Sequence, residues 1–193
     1  MPFYDDHRMG RTAIALALAA VLGGSAEARP ASTGWYAEGG LGAVAFLPSA
    51  NDDAKLGPAA GIRFGRDLAS FFSLGLSLAA SSHEATVPPP PEGEWFQVYR
   101  ATAELRITGR FDRLALFVEG GAGVGMISSN ILGKVLITEP GERFSLLVQA
   151  GGGFEYQLEN RHYALGLAGD VAILPQFETL KAIDARAFLR YTY

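Results

Sequence analysis

The chain has 193 residues, a net charge of −4, 49% hydrophobic and 19% charged residues, 24 glycines and no cysteine. That length suits one domain with a sizeable core, and the small acidic charge argues against a nucleic-acid partner. Without cysteine there is no disulfide framework, thiolate metal site or lipoprotein acceptor, and after the first residues no run of about 18 apolar residues offers a membrane-spanning helix.

The first segment reads as an address rather than as structure. Arg8 and Arg11 precede the apolar run TAIALALAAVL (12–22), and Ala26-Glu27-Ala28 follows as a small-residue cleavage site. The run is well short of the roughly 20 residues a spanning helix needs. The pattern predicts a secretory signal peptide over 1–28, cleaved before Arg29, and a mature domain over 29–193. Asp5 and Asp6 are atypical of such a leader and point to Met9 as an alternative start.

From there the dominant period is two. In FSLGLSLAAS (72–81), Phe72, Leu74, Leu76, Leu78 and Ala80 share one face, and Ser73, Gly75, Ser77 and Ala79 share the other. The same alternation recurs at 35–47, 56–65, 71–81, 96–108, 114–126, 143–157, 162–173 and 182–193. The abundant glycine fits strands better than helices, because each glycine inside a helix costs roughly 1 kcal/mol. Segments of about 9–11 residues match a tilted strand crossing a bilayer.

The connections alternate in length. RDLAS (66–70), GRFDR (109–113) and LENR (158–161) are tight, each with an Asp or Asn suited to a turn. SHEATVPPPPEGEW (82–95) and ISSNILGKVLITEPGE (127–142) are long. Short turns at one rim and long loops at the other mark a membrane barrel, and an open sheet edge cannot sit in hydrocarbon. The predicted fold is all-β: an eight-stranded antiparallel up-and-down transmembrane barrel.

The bulky face holds Trp35, Leu41, Ile62, Phe64, Leu105, Ile107, Leu116, Val118, Leu146, Val148, Tyr163, Leu165, Leu167, Leu189 and Tyr191, and should touch lipid. The opposite face carries Glu38, Arg63, Arg100, Glu104, Arg106, Glu119, Gln149, Glu155, Asp170, Arg186 and Arg190 among glycines. These charges are expected to fill a narrow interior as paired ions, with Arg190 near Glu38 and Asp170 near Arg186, leaving no open pore. A soluble sandwich or lipocalin-like barrel with its polar face in water is the competing reading. Rings at the strand ends, among them Trp35, Phe71, Trp95, Phe111, Phe144, Tyr156, Tyr163 and Tyr193, favour membrane interfaces instead.

Chain chemistry outside this pattern is sparse. GAGVGM lacks the third glycine of a dinucleotide fingerprint, and no Walker sequence, G-x-S-x-G or metal-ligand cluster occurs, so no cofactor is expected. Ser81-Ser82-His83-Glu84 contains a nucleophile and a base, but neighbours along a strand point to opposite faces, so a sharp turn would be needed to join them. In VPPPPEGEW the four prolines favour a stiff polyproline segment presenting Glu92, Glu94 and Trp95 to a protein partner, or acting as a spacer. ILGKVLI (131–137) alternates apolar residues and offers either a hairpin extension or a docking edge.

The ending AFLRYTY places Leu189, Tyr191 and Tyr193 on the lipid face and resembles the C-terminal signal of outer-membrane barrels. GWYAEGGLGA (34–43) and VEGGAGVG (118–125) resemble strands of the OmpA/OmpX-like family of small outer-membrane barrels. The resemblance covers the mature chain from about residue 33 onward and includes no peptidoglycan-binding domain, so no cell-wall anchoring is implied. It implies an outer-membrane location, lipid and the barrel assembly machinery as partners, and a fold that hosts several jobs. Three functions fit such a barrel: a non-enzymatic structural or interaction barrel acting through extracellular loops, a lipid A-modifying enzyme using the Ser81 to Glu84 run, and a small channel.

Overall fold

The computed structural model describes residues 33–47, 54–86, 93–128, 143–177 and 180–193. The predicted signal segment 1–28, Glu92 with the proline run before it, and ILGKVLI lie outside these residues.

Eight strands form one closed antiparallel barrel, each paired with its neighbours in sequence and β8 closing onto β1. They are β1 (Trp35–Phe46), β2 (Gly57–Ala69), β3 (Phe72–Glu84), β4 (Trp95–Phe111), β5 (Leu114–Ile127), β6 (Phe144–Gln157), β7 (Tyr163–Leu174) and β8 (Leu180–Thr192). Closure leaves no sheet edge, which hydrocarbon requires because it offers no water to unpaired backbone groups.

Several strands run further than the periodicity alone indicates. β2 and β3 continue until Ser70 and Phe71 alone connect them, and β4 and β5 until Asp112 and Arg113 do. Tight turns thus consume fewer residues than RDLAS and GRFDR suggested, because the flanking residues stay in the ladder. Asp112 takes a positive φ of 54° at its turn, a conformation that aspartate tolerates better than most residues.

Both chain ends of the barrel lie at the rim that carries the short turns. Tyr193 N–H donates to the Trp35 carbonyl (2.8 Å), Asp67 N–H to the Gly34 carbonyl (2.7 Å) and Thr192 N–H to the His162 carbonyl (2.8 Å). Tyr191 packs against Tyr163 (ring centres 4.8 Å, tilted) and Tyr193 (4.9 Å, edge-on), forming an aromatic cluster beside the closing seam.

The outer wall is the inverse of a soluble protein. Leu41, Leu76, Leu78, Val118, Leu146, Leu165 and Leu189 are exposed large hydrophobics, whereas Glu38, Arg63, Arg106 and Glu119 are buried. Water would not leave so much apolar surface uncovered on a monomer, so the soluble alternative fails and the wall is a lipid-facing one. Leu76 sits mid-row in the outward series of β3. Leu76→Arg should cost about 2–4 kcal/mol of barrel stability, read as a lower urea midpoint for the barrel refolded in vesicles, while Leu76→Ile should leave the midpoint nearly unchanged.

Candidate functional site: the charged lumen and its outer cap

Alternation sends every second side chain inward, and the lumen so formed has three tiers. Near the short-turn rim, Arg190 from β8 pairs with Asp67 of β2 and lies 3.9 Å from Glu155 of β6. Arg110 of β4 bonds the same Glu155 at 2.9 Å. The Arg190 guanidinium also lies over the Tyr36 ring at 3.9 Å, a cation–π contact.

The middle tier centres on Glu119. It accepts from Arg63 (2.8 Å), Arg106 (2.9 Å) and Arg186. Arg63 reaches on to Glu104 and, at 3.5 Å, to Glu38. Arg106 reaches Glu38 at 3.2 Å and is 2% exposed. Its guanidinium sits 4.0 Å from the centre of the Phe117 ring and 5.4 Å from that of Phe188, which pack edge to face. Arg186 also pairs with Asp170, and Gln149 donates to Glu104 at 2.8 Å. Glycines opposite make room for these side chains: a Cβ on Gly121 would lie 2.7 Å from Cγ of Glu104, and one on Gly153 would lie 2.8 Å from the Phe117 ring.

Above this, Arg100 pairs with Asp184, and the lumen then turns apolar. Val44, Phe46, Ala54, Ala85, Phe96, Val98 and Ala182 form a buried cluster at the long-loop end. His83 is wholly buried within it, its ring centre 4.6 Å from that of Phe46 and 5.5 Å from that of Phe96. Its Nδ1 lies 3.0 Å from the Lys55 carbonyl and its Nε2 2.9 Å from Ser81 Oγ.

All ten charged residues expected inside are there, and the structure adds Asp67, Asp184 and Arg110. Asp184 was legible as an inward position of β8, two residues before Arg186. Asp67 and Arg110 were hidden because they fell in stretches read as turns. The Asp170–Arg186 pair forms as expected. The Glu38–Arg190 pair does not: the two are opposite in the β1–β8 register, yet Arg190 turns to Asp67 and Glu155, while Glu38 engages Arg63 and Arg106. Facing positions on neighbouring strands bring two Cβ atoms close, but long guanidinium arms reach across the lumen to other acids.

The Ser81 to Glu84 run also differs from expectation. Ser81 and His83 are two apart, so both point inward and bond without a sharp turn. Glu84 points away from them and pairs with Lys55 at 2.8 Å. Trp95 opens β4 with 53% exposure, and the Glu94 carbonyl accepts from Ala85 N–H at 2.8 Å. At the other end His162 Nδ1 lies 2.7 Å from the Thr192 carbonyl. Leu189 and Tyr193 are exposed on the outer face, as the ending predicted.

Two lumen cavities are small. One of about 40 Å³ lies between the middle tier and Arg100, lined on one side by Gly40, Gly42, Gly61 and Ala79. The other, about 20 Å³, sits by Asp67 and Arg110. They offer space for a few waters rather than for a solute.

The closed, inside-out architecture with a filled lumen defines a small transmembrane β-barrel of the outer-membrane type. Solved structures agree on the fold. Neisserial surface protein A matches with a TM-score of 0.60 at 11% identity, over 84% of this chain and 99% of that one. Outer membrane protein OprG of Pseudomonas aeruginosa matches with a TM-score of 0.58 at 13% identity, over 84% and 98%. The N-terminal barrel domain of OprF from the same organism gives a TM-score of 0.52 at 12% identity, over 83% and 98%. No family model matches the chain, and no curated protein matches it in sequence. The fold is therefore the one shared by these small eight-stranded barrels, consistent with the OmpA/OmpX-like resemblance of the sequence.

Removing one member of the middle tier should leave buried carboxylates uncompensated. Arg106→Met is expected to destabilise the barrel by about 3–5 kcal/mol, and Arg106→Met combined with Glu119→Gln by less than the sum of the single changes. Denaturant titration of the four barrels in detergent micelles checks both.

Proposed function

We propose that this chain is a non-enzymatic outer-membrane barrel, exported by its N-terminal segment, that serves a structural or contact role through the loops at its capped end. The carrying observation is the lumen itself: interlocked arginines and carboxylates through two tiers, then an apolar cap. A solute path would have to break several buried ion pairs, each costly to separate.

The geometry around Ser81 weighs against the lipid A-modifying alternative. A serine nucleophile needs its base within reach and also access to substrate. Ser81 and His83 meet the first condition, but Ser81 is 4% exposed and faces the lumen, whereas acyl chains lie against the other face of β3. The orienting partner of His83 is a backbone carbonyl, since Glu84 is engaged outside. Glu94 and Trp95, at the capped rim, and Glu92 before them remain the residues proposed to meet a protein partner. Leu189, Tyr191 and Tyr193, beside the closing seam, are proposed as the signal read by the barrel assembly machinery.

Planar-bilayer recordings of the purified barrel should show no conductance steps, including with Glu38→Gln or Arg190→Gln, and steady steps would overturn the sealed reading. Cells producing the chain should hold it in the outer-membrane fraction with heat-dependent gel mobility and carry unaltered lipid A by mass spectrometry. A lipid A change that disappears with His83→Ala would reverse the non-enzymatic assignment.

A further inference from the structure

The cap differs from the rest of the lumen in being apolar around one titratable ring, and that ring holds a piece of chain from outside its own strand. Residues 54–56 come from the connection between β1 and β2. Four contacts pin them: a β-bridge from Ala54 to Ala85, Lys55 N–H to the Glu84 carbonyl (2.9 Å), the Lys55–Glu84 ion pair (2.8 Å), and His83 Nδ1 to the Lys55 carbonyl (3.0 Å). The histidine contact is made from inside the lumen, where the Ala54 side chain also packs in the apolar cluster.

The Lys55 carbonyl can only accept, so Nδ1 carries the hydrogen and donates it, and Nε2 is left to accept from the Ser81 hydroxyl. Neutral imidazole therefore satisfies both contacts. Adding a proton at Nε2 leaves the Nδ1–H donation to the Lys55 carbonyl in place, turns the other nitrogen from acceptor to donor so that the hydroxyl must reverse, and places a cation beside Phe46 and Phe96. No carboxylate among the described residues forms an ion pair with it. Lys55 from the β1–β2 connection and Glu84 from β3 are paired to each other at the rim, Arg100 from β4 lies below and repels a second cation, and Asp184 from β8 is held by Arg100. Glu94 meets Ala85 through its carbonyl. A buried charge without a partner is strongly disfavoured.

We propose that His83 is an acid-sensitive latch that fastens residues 54–56 over the long-loop mouth of the barrel. Neutral imidazole is stable inside the closed cap; as pH falls through the titration of the ring, the cation keeps its bond to the Lys55 carbonyl but can be hydrated only if the cap opens, so the closed arrangement of residues 54–56 loses stability. The latch rests on the sealed lumen of the proposed function, but not on what the loops contact.

The test uses the full barrel in lipid vesicles with a nitroxide on Leu56→Cys, a position that is exposed and therefore tolerant of the label. The label should be immobile at about pH 8 and lose its immobile component by about pH 5. Changing His83→Phe, which keeps the ring packing and removes the titration, should leave the spectrum the same at both ends. The Glu84→Gln change should preserve the transition, because the rim pair is not its source. Retention of the transition in His83→Phe, its loss in Glu84→Gln, or an unchanged parent spectrum across the range would overturn the latch. As a check independent of any cap variant folding, imidazole nitrogen resonances of the parent should titrate together with the label, and a ring that stays neutral while the segment loosens would also overturn it. Conductance at neutral pH would instead refute the sealed barrel, so the two failures are separable.

Discussion

Hydrocarbon offers no hydrogen-bond partner, and this one constraint organises the molecule. Each backbone N–H and C=O at membrane depth must find its match within the sheet, so the strands have to close, and closing eight of them produces a lumen about as wide as the side chains that fill it. Inside and outside then have opposite chemistry. The outer wall gains nothing from being polar, and the interior cannot be emptied.

Filling that interior with ions is a demanding solution. Buried charges repay their desolvation only when their partners and remaining hydrogen bonds are well placed. Here the burden is shared: Glu119 meets three arginines, Arg63 and Arg106 each bridge several acids, and Arg106 also lies against two phenylalanine rings. The small inward residues of the facing wall are the counterpart of these long arms. Glycine at 121 and 153 is less about backbone freedom than about space: a Cβ there would strike the carbonyl of Ala103 or Leu167 on the neighbouring strand as well as Glu104 or Phe117.

The two ends of the lumen are unequal. The short-turn end stays ionic up to Arg110 and Asp67, whereas the loop end is closed by Phe46, Phe96 and their neighbours around His83. Chain from the β1–β2 connection completes that cap, so the barrel's closure at this end depends on a segment outside the ladder as well as on the strands.

Much of this was written in the alternation of residues. A period of two, repeated eight times with tight turns at every second junction, determines strand number, closure and the face each charge occupies, because side chains on a strand have no other choice of direction. The ending with Leu189, Tyr191 and Tyr193 carries its outward face in the same way. Tertiary structure decided most of the partners: Asp170 and Arg186 pair as their neighbouring strands suggest, but Glu38 and Arg190 face each other along the seam yet bind elsewhere, since a guanidinium reaches as far across a narrow lumen as along it. It also decided that the Ser81–His83 pair, brought together by its spacing on one strand, is buried, because burial there depends on residues 54–56 folding over the mouth, a long-range contact that no local pattern encodes.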